Sequence, residues 1–154
     1  MRPNGVHHIA MSVPDLDQAR AFYVGLLGLE EVWDMAWANS PRMDTITALT
    51  GSAGRMMFLD AGDLLLEVFE FQSPPPEQVR PPGTMHHFGF THICFDVGDA
   101  RGEYERLSAA GVRFLSEPQE SPNVCTLYGM DPFGNVFELQ QIKGEAKLPS
   151  KVGR

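Results

Sequence analysis

The sequence has few cysteines and no long hydrophobic run. Only two of the 154 residues are cysteine, too few for the disulfide framework that holds many small secreted proteins together. No apolar run approaches the roughly 20 residues of a membrane-spanning helix. The first predicted strand begins so close to Met1 that we expect no signal peptide. These features predict a cytoplasmic protein in which Cys94 and Cys125 are reduced.

Positive charge is also scarce. Twelve Lys and Arg residues stand against 20 Asp and Glu residues, which gives a formal net charge of −8. This balance disfavours nucleic acid and anionic membrane surfaces as partners. The composition, 43% hydrophobic and 21% charged, is ordinary for a globular protein. The length allows one compact domain, or two small half-domains that share a core.

What the sequence does contain is an internal repeat. Segment 6–15 recurs as segment 89–99, and aligning the two places four residues of one on four of the other: His92 on His8, Ile93 on Ile9, Val97 on Val13 and Asp99 on Asp15. Both copies run on into a helical pattern, and both modules close with a strand that carries one glutamate, Glu67 or Glu138. A repeat with His at its head and Glu at its tail predicts a metal ion held between two half-domains.

Strand alternation predicts the direction of these four side chains. In segment 6–13, His7 shares the apolar side with Ile9, whereas His8 lies on the opposite face. The same parity places Glu67, His92 and Glu138 on the face away from the helices. A glutamate inside an apolar strand loses several kcal/mol of hydration unless it is paired or coordinated. Two Glu and two His could pair without a metal, but a shared divalent cation satisfies them better.

The remaining pattern predicts two capped helices among short strands. Asp15 and Asp99 stand at the N-caps, and Gly28 and Gly111 suit the left-handed residue that follows each helix. A further short helix is possible at 44–49, within an irregular stretch that runs from 34 to 54. The predicted strands are 6–13, 29–33, 55–60, 63–71, 91–97, 112–115, 123–130 and 135–141.

Four runs in the sequence carry a family resemblance. They are His8-Ile9…Val13-Pro14-Asp15-Leu16, Ala21-Phe22-Tyr23…Leu26-Leu27-Gly28-Leu29, His92-Ile93…Val97-Gly98-Asp99 and Asp131-Pro132-Phe133-Gly134-Asn135…Glu138-Leu139. Together they resemble the vicinal oxygen chelate superfamily, which includes glyoxalase I, methylmalonyl-CoA epimerase, extradiol dioxygenases and bleomycin resistance proteins. The resemblance implies an α+β fold in which two βαβββ modules form a cupped, mostly antiparallel eight-stranded sheet around a metal site. We expect modules at 1–72 and 86–142, a proline-rich linker at 73–85 and a flexible tail at 143–154.

The resemblance also implies a metal site and a reaction class. Ligands in the order His, Glu, His, Glu resemble glyoxalase I and some sugar epimerases, and they map onto His8, Glu67, His92 and Glu138. The implied cofactor is one divalent ion, Ni, Co, Zn, Fe or Mn, and the implied substrate is a small molecule with vicinal oxygens. Glu67 and Glu138 would be the catalytic residues, removing a proton and returning it. The implied protein is a homodimeric lyase or isomerase.

Two alternative functions remain open at this point. Extradiol dioxygenases of the superfamily hold Fe(II) with two His and one Glu and leave the other positions to catechol and oxygen. Non-catalytic binding or resistance proteins of the superfamily generally lack the four ligands. Glutathione-using glyoxalases carry an Arg and an Asn where this chain has Ser12 and Phe71, neither of which can pair with a carboxylate.

Aromatic residues and a His pair are further candidates for substrate contact. The first module has several large apolar side chains that could favour an apolar or ring-shaped substrate or could be ordinary core: Trp33, Trp37, Met57, Phe69 and Phe71. His86 and His87 could likewise contact substrate or simply end the linker.

Overall fold

The computed structural model describes residues 5–77, 82–83, 85–86 and 88–144. His87, parts of the predicted linker and most of the predicted tail lie outside the described residues. Contacts within the chain divide it into two compact units, Met1–Gln78 and Val79–Arg154, called unit 1 and unit 2 below. The predicted boundaries of modules, linker and tail stay predictions.

Unit 1 contains a four-stranded sheet. Strand β1 runs parallel to β4, and the other neighbours are antiparallel, in the order β1–β4–β3–β2. The strands that carry the predicted His and Glu ligands are therefore adjacent. In chain order the elements are β1 (His8–Ser12), α1 (Leu16–Arg20) with a π-helical continuation (Ala21–Leu26), β2 (Glu30–Trp37), α2 (Pro41–Thr47), β3 (Ala53–Asp60) and β4 (Leu65–Ser73).

Unit 2 repeats this arrangement. Strand β5 runs parallel to β9, and β9 is followed by β8 and β6, while the short β7 also pairs with β8. Here too the strands of the predicted His and Glu ligands are neighbours. The elements are β5 (His92–Asp96), α3 (Ala100–Ala109), β6 (Arg113–Phe114), β7 (Gln119–Glu120), β8 (Val124–Met130) and β9 (Val136–Ile142).

The α+β class and the mostly antiparallel pairing are confirmed, although several predicted bounds were wrong. The described residues contain nine strands, because the two-residue β7 gains strand character only by pairing with β8. Strand β2 runs on to Trp37 through a register shift between Glu31 and Trp33, which breaks the alternation. Helix α2 starts early, since Pro41 stands in its first turn and the Ser40 hydroxyl accepts the N–H of Met43.

Equivalent caps fix the first helix of each unit. The Asp15 carboxylate accepts the backbone N–H groups of Asp17 and Gln18, and Asp99 accepts that of Gly102. Gly28 and Gly111 follow these helices with φ of 79° and 89°, a conformation that glycine adopts without steric penalty. Both predicted N-caps are thus confirmed.

Each face of the unit 1 sheet carries apolar side chains. The face towards α1 holds a buried core to which Leu16, Phe22, Met57, Leu66 and Val68 belong. The opposite face holds a second cluster of Trp37, Met43 and Met56, with Met35, Phe58, Phe69 and Phe71 packed against it. We call the face of each sheet that carries the predicted ligands its site face. Every helix among the described residues is too short or too polar to cross a bilayer.

Candidate functional site

In unit 1 the predicted ligands form a pair. His8 Nε2 lies 3.2 Å from Glu67 Oε2, because Ala10 is opposite Glu67 in the parallel ladder and His8 shares the face of Ala10. The Glu67 residue is only 7% exposed. Burial raises the pKa of the Glu67 carboxyl, and the charges of His8 and His7 partly oppose that rise. Unit 1 thus presents one imidazole and one buried carboxylate on its site face.

His7 joins this pair, although alternation predicts it on the helix side. Its Nδ1 lies 2.9 Å from Nδ1 of His8, and its ring meets Phe58 edge-on with centroids 6.4 Å apart. The alternation does not apply to His7, because β1 begins only at His8. A second imidazole therefore stands beside the ring of His8.

In unit 2 the predicted ligands form a matching pair. His92 Nε2 lies 3.0 Å from Glu138 Oε2, and Glu138 is 9% exposed. The Thr126 hydroxyl donates to the other carboxylate oxygen, Oε1, at 2.5 Å. The Thr91 hydroxyl lies 2.9 Å from Nδ1 of His92. Both members of this pair are therefore oriented by a hydroxyl group.

Two further polar side chains border Glu138. Cys94 and Tyr128 are its neighbours in the two adjoining ladders, and the Tyr128 ring is 5.2 Å from the ring of His92. Burial and the charge of Glu138 raise the pKa of the Tyr128 phenol. The same two causes, with a hydrogen bond to Glu138, raise the pKa of the Cys94 thiol to about 12. Thiol and phenol therefore stay protonated beside the carboxylate at neutral pH.

The structure joins each predicted His to its predicted Glu within its own unit. Over the described part of the chain, no group of three or more His, Cys, Asp or Glu side chains is placed to hold a metal ion. A single site built from His8, Glu67, His92 and Glu138 stays a prediction. Cys94 and Cys125 are both free thiols. His86 is exposed, and its contact with substrate is likewise untested.

The chemistry of the two pairs fits a divalent cation. In each pair the ion-pair partner of the buried carboxylate is a histidine, not a lysine or arginine. A buried carboxylate needs compensating charge as well as hydrogen bonds. Imidazole nitrogen together with carboxylate oxygen is a donor set that Zn, Mn, Fe, Co and Ni accept. A divalent cation bound by these groups would supply the compensating charge.

The sequence did not predict the residues whose contact with Glu138 depends on the pairing register of β8 and β9. Tyr128 and Thr126 reach Glu138 because the turn after Met130 pairs that residue with Val136, and counting back from the turn finds Tyr128. For Met57 the sequence left open substrate contact and ordinary core, and the structure supports ordinary core. Met57 lies opposite Val68 in the ladder and is fully buried on the helix side.

Comparison with known proteins finds the same superfamily along the chain. The profile of the glyoxalase/bleomycin resistance protein/dioxygenase superfamily matches residues 5–139. A 2-epi-5-epi-valiolone epimerase of Actinomyces sp. is 31% identical over 122 residues, which are 74% of this chain and 63% of that protein. An ethylmalonyl-CoA/methylmalonyl-CoA epimerase of Cereibacter sphaeroides is 27% identical over 89% of this chain and 97% of its own length.

A solved structure agrees with these sequence matches. A glyoxalase family protein of Bacillus cereus superposes with a TM-score of 0.84 over 94% of this chain and 97% of that one, at 18% identity. At that identity the likeness speaks for the fold alone. The profile match, by contrast, covers most of the chain, so the protein belongs to the glyoxalase/bleomycin resistance protein/dioxygenase superfamily.

Proposed function

We propose that the protein is a metal-dependent epimerase or lyase that transfers a proton at the carbon next to a carbonyl group. The observation that carries this proposal is the pair of buried glutamates, each beside a histidine on the site face of its own unit. Carboxylates at such positions can serve as general bases. A bound divalent ion would supply Lewis-acid polarisation of the substrate carbonyl.

Glu67 and Glu138 have distinct parts in this proposal. Glu67 is flanked in its ladders by Ala10 and Phe58, and burial raises the pKa of its carboxyl, which makes the carboxylate a stronger base. Glu138 is held by Thr126. We therefore assign proton removal to Glu67, and ligation with return of the proton to Glu138.

The curated relatives support the epimerase side of the proposal. Both carry the word epimerase in their names, and an epimerase must remove and return one proton. The chain spans 63% of the length of the valiolone epimerase it matches, so the activity of that whole protein comes here only as a proposal. Identities of 31% and 27% leave the substrate open.

Metal content tests the ligand set. Protein purified without chelator should hold one divalent ion per chain, measured by elemental analysis. The His8→Ala and His92→Ala variants should each lose most of it, because each removes an imidazole ligand. His86→Ala is the matched control, since His86 is exposed and outside both pairs. Stoichiometric metal in both ligand variants would contradict the assignment.

Isotope exchange tests the reaction class. In heavy water, deuterium should enter a 2-hydroxy-ketone or 2-oxo substrate at the carbon next to the carbonyl, and NMR follows that signal. Oxygen uptake with a catechol, measured by an oxygen electrode, separates the Fe(II) dioxygenase alternative. Oxygen uptake without deuterium exchange would contradict the proton-transfer proposal and favour the dioxygenase alternative.

Oligomeric state and location accompany the proposal. We propose a homodimer, because proteins of this superfamily often complete their sites by pairing modules within or between chains. Sedimentation showing only monomer at micromolar concentration would count against it. A cytoplasmic location stays a prediction.

A further inference from the structure

We propose that Trp33 and Phe58, named the aromatic platform, bind an uncharged ring of the substrate beside Glu67. This inference rests on the proposed function and names the substrate class of that site. The platform would take a small cyclic ketone or hydroxy-ketone without phosphate or carboxylate groups. We expect coenzyme A thioesters and glutathione conjugates to bind less tightly than such a ring.

The sheet register places the platform next to the carboxylate. Ala10, Glu67, Phe58 and Trp33 are successive partners across β1, β4, β3 and β2. Partners in a ladder share one face of the sheet, with strands about 4.8 Å apart. A single row of side chains on the site face thus runs from the small Ala10, past the carboxylate, to two aromatic rings.

Ring geometry shows how the row is built. Phe58 meets the His8 ring edge-on at a centroid distance of 5.6 Å. Trp33 lies over Phe58 at 5.7 Å with the planes tilted by 34°. The Trp33 side chain remains accessible to a ligand, because the residue is 50% exposed. An apolar group can therefore cover Trp33 and Phe58 while its oxygens reach His8 and Glu67.

Core packing alone does not account for an open tryptophan at this place. The interior apolar cluster of the same face is closed by Trp37, which is 6% exposed and donates its indole N–H to Ser52. Trp37 is a satisfied core residue, whereas half of Trp33 lies in solvent. Aromatic walls with a few convergent polar groups are typical of small-molecule sites.

Charge decides between uncharged and anionic ligands. Before Lys143 the sequence contains no lysine, so arginine is the strong cation of unit 1. Among residues 5–77, Arg20 is paired with Asp17 and Glu31, and Arg55 with Asp17 and Glu70. Arg55 pairs with Glu70 on the helix side of the sheet. Arg42, exposed on α2, is the remaining arginine of that stretch. Among residues 5–77, the row around Glu67 thus contains no arginine or lysine that would pair with a phosphate.

Calorimetry with the full chain tests the platform through binding. The probes are 2-hydroxycyclohexanone, hydroxyacetone and acetyl-coenzyme A. The ring ketone should bind about tenfold more tightly than hydroxyacetone, a difference expected from burying its extra apolar surface. Trp33→Ala and Phe58→Leu should each reduce that preference to about threefold or less while hydroxyacetone affinity is kept. Ile46→Ala removes another exposed apolar side chain, from α2, and should leave both affinities unchanged.

The outcomes separate this inference from the proposed function. Loss of ring preference in the two platform variants supports the platform even where no proton exchange is found. Unchanged ring preference in both variants would overturn the inference. Acetyl-coenzyme A that binds more tightly than the ring ketone, and loses this binding in Arg42→Ala, would also overturn it. A change of sedimentation instead of affinity in Trp33→Ala would assign the surface to an interface between chains and also overturn it. Circular dichroism verifies that the variants are folded.

Discussion

The two units place the same pair of predicted ligands, one His and one Glu, in surroundings of opposite polarity. Glu67 has Ala10 and Phe58 as ladder neighbours, whereas the corresponding neighbours of Glu138 are Cys94 and Tyr128. The position that holds Thr126 in unit 2 holds Met56 in unit 1. One backbone arrangement therefore presents an apolar site face in unit 1 and a polar one in unit 2. The repeat supplies the predicted ligands, and the residues around them differ in polarity.

The largest expected effect on turnover comes from replacing either of the two glutamates with glutamine. Glu67→Gln and Glu138→Gln should each lower turnover by roughly two to four powers of ten, because each removes a general acid or base. Both should keep the fold and part of the metal, since an amide oxygen still coordinates. Steady-state kinetics with parallel metal analysis measures this. Full turnover in both variants would leave only oxygen chemistry or simple binding.

Thr126 sharpens the comparison, because its hydroxyl has no counterpart beside Glu67. Thr126→Val should weaken metal binding by roughly tenfold to a hundredfold, the usual effect of removing a group that orients a ligand. Thr126→Ser keeps the hydroxyl and should restore affinity. Metal titration by competition with a chromophoric chelator gives both values. Equal affinities in all three proteins would mean that the hydroxyl does not position Glu138.

A second difference between the units lies on the helix side of each sheet. Glu70 accepts the N–H of Leu16 at 2.7 Å, and the equivalent Gln141 accepts that of Ala100 at 3.3 Å. Burial alone would raise the pKa of Glu70, but hydrogen bonds from Arg55 and Leu16 hold it below its ordinary value. The same contact is thus charged in unit 1 and neutral in unit 2.

Exchanging Glu70 for glutamine should make the two contacts alike. Glu70→Gln should lower the free energy of unfolding at pH 7 by about 1–3 kcal/mol, because it weakens charged hydrogen bonds. A carboxyl whose pKa is lowered on folding stabilises above its unfolded pKa, and this stabilisation is lost as pH falls through its folded pKa. The wild type should therefore lose more stability than Glu70→Gln as pH falls from 7 towards 3.

Urea unfolding at several pH values makes this measurement. Gln141→Ala is the control. Because the amide of Gln141 does not titrate, the loss of stability that this substitution causes should not depend on pH. Identical pH dependence of the wild type and Glu70→Gln would contradict the role assigned to the Glu70 carboxylate.

The smallest effect is expected where the units are the same. Asp15→Ala and Asp99→Ala each remove an N-cap and should each lower the free energy of unfolding by about 1 kcal/mol. Replacement by Asn, which caps equally well, should restore it. Urea unfolding measures both variants. A lower free energy of unfolding in only one of them would mean that the two caps are not equivalent.

Local rules predicted the N-caps of α1 and α3 and the strand faces of His8 and Glu67. Asp15 and Asp99 cap because a carboxylate before a helix reaches its free N–H groups, and period two places His8 and Glu67 on one face. Features that depend on pairing with distant residues were not predictable. The bulge after Glu31 and the two-residue β7 exist only through their partner strands.

The same distinction holds for the candidate site. His92 and Glu138 follow from the repeat, but the hydroxyl of Thr126 becomes visible only once the β8–β9 register is known. For Met57 the sequence left substrate contact and ordinary core open, and its pairing with the buried Val68 decides for core.

Anomalous scattering from crystals loaded with Zn or Mn tests the central proposal most directly. We expect one ion per chain, with Nε2 of His8 and His92 and carboxylate oxygens of Glu67 and Glu138 at about 2.0–2.2 Å from it. A separate ion at each His–Glu pair, or an ion held by other residues, would contradict it.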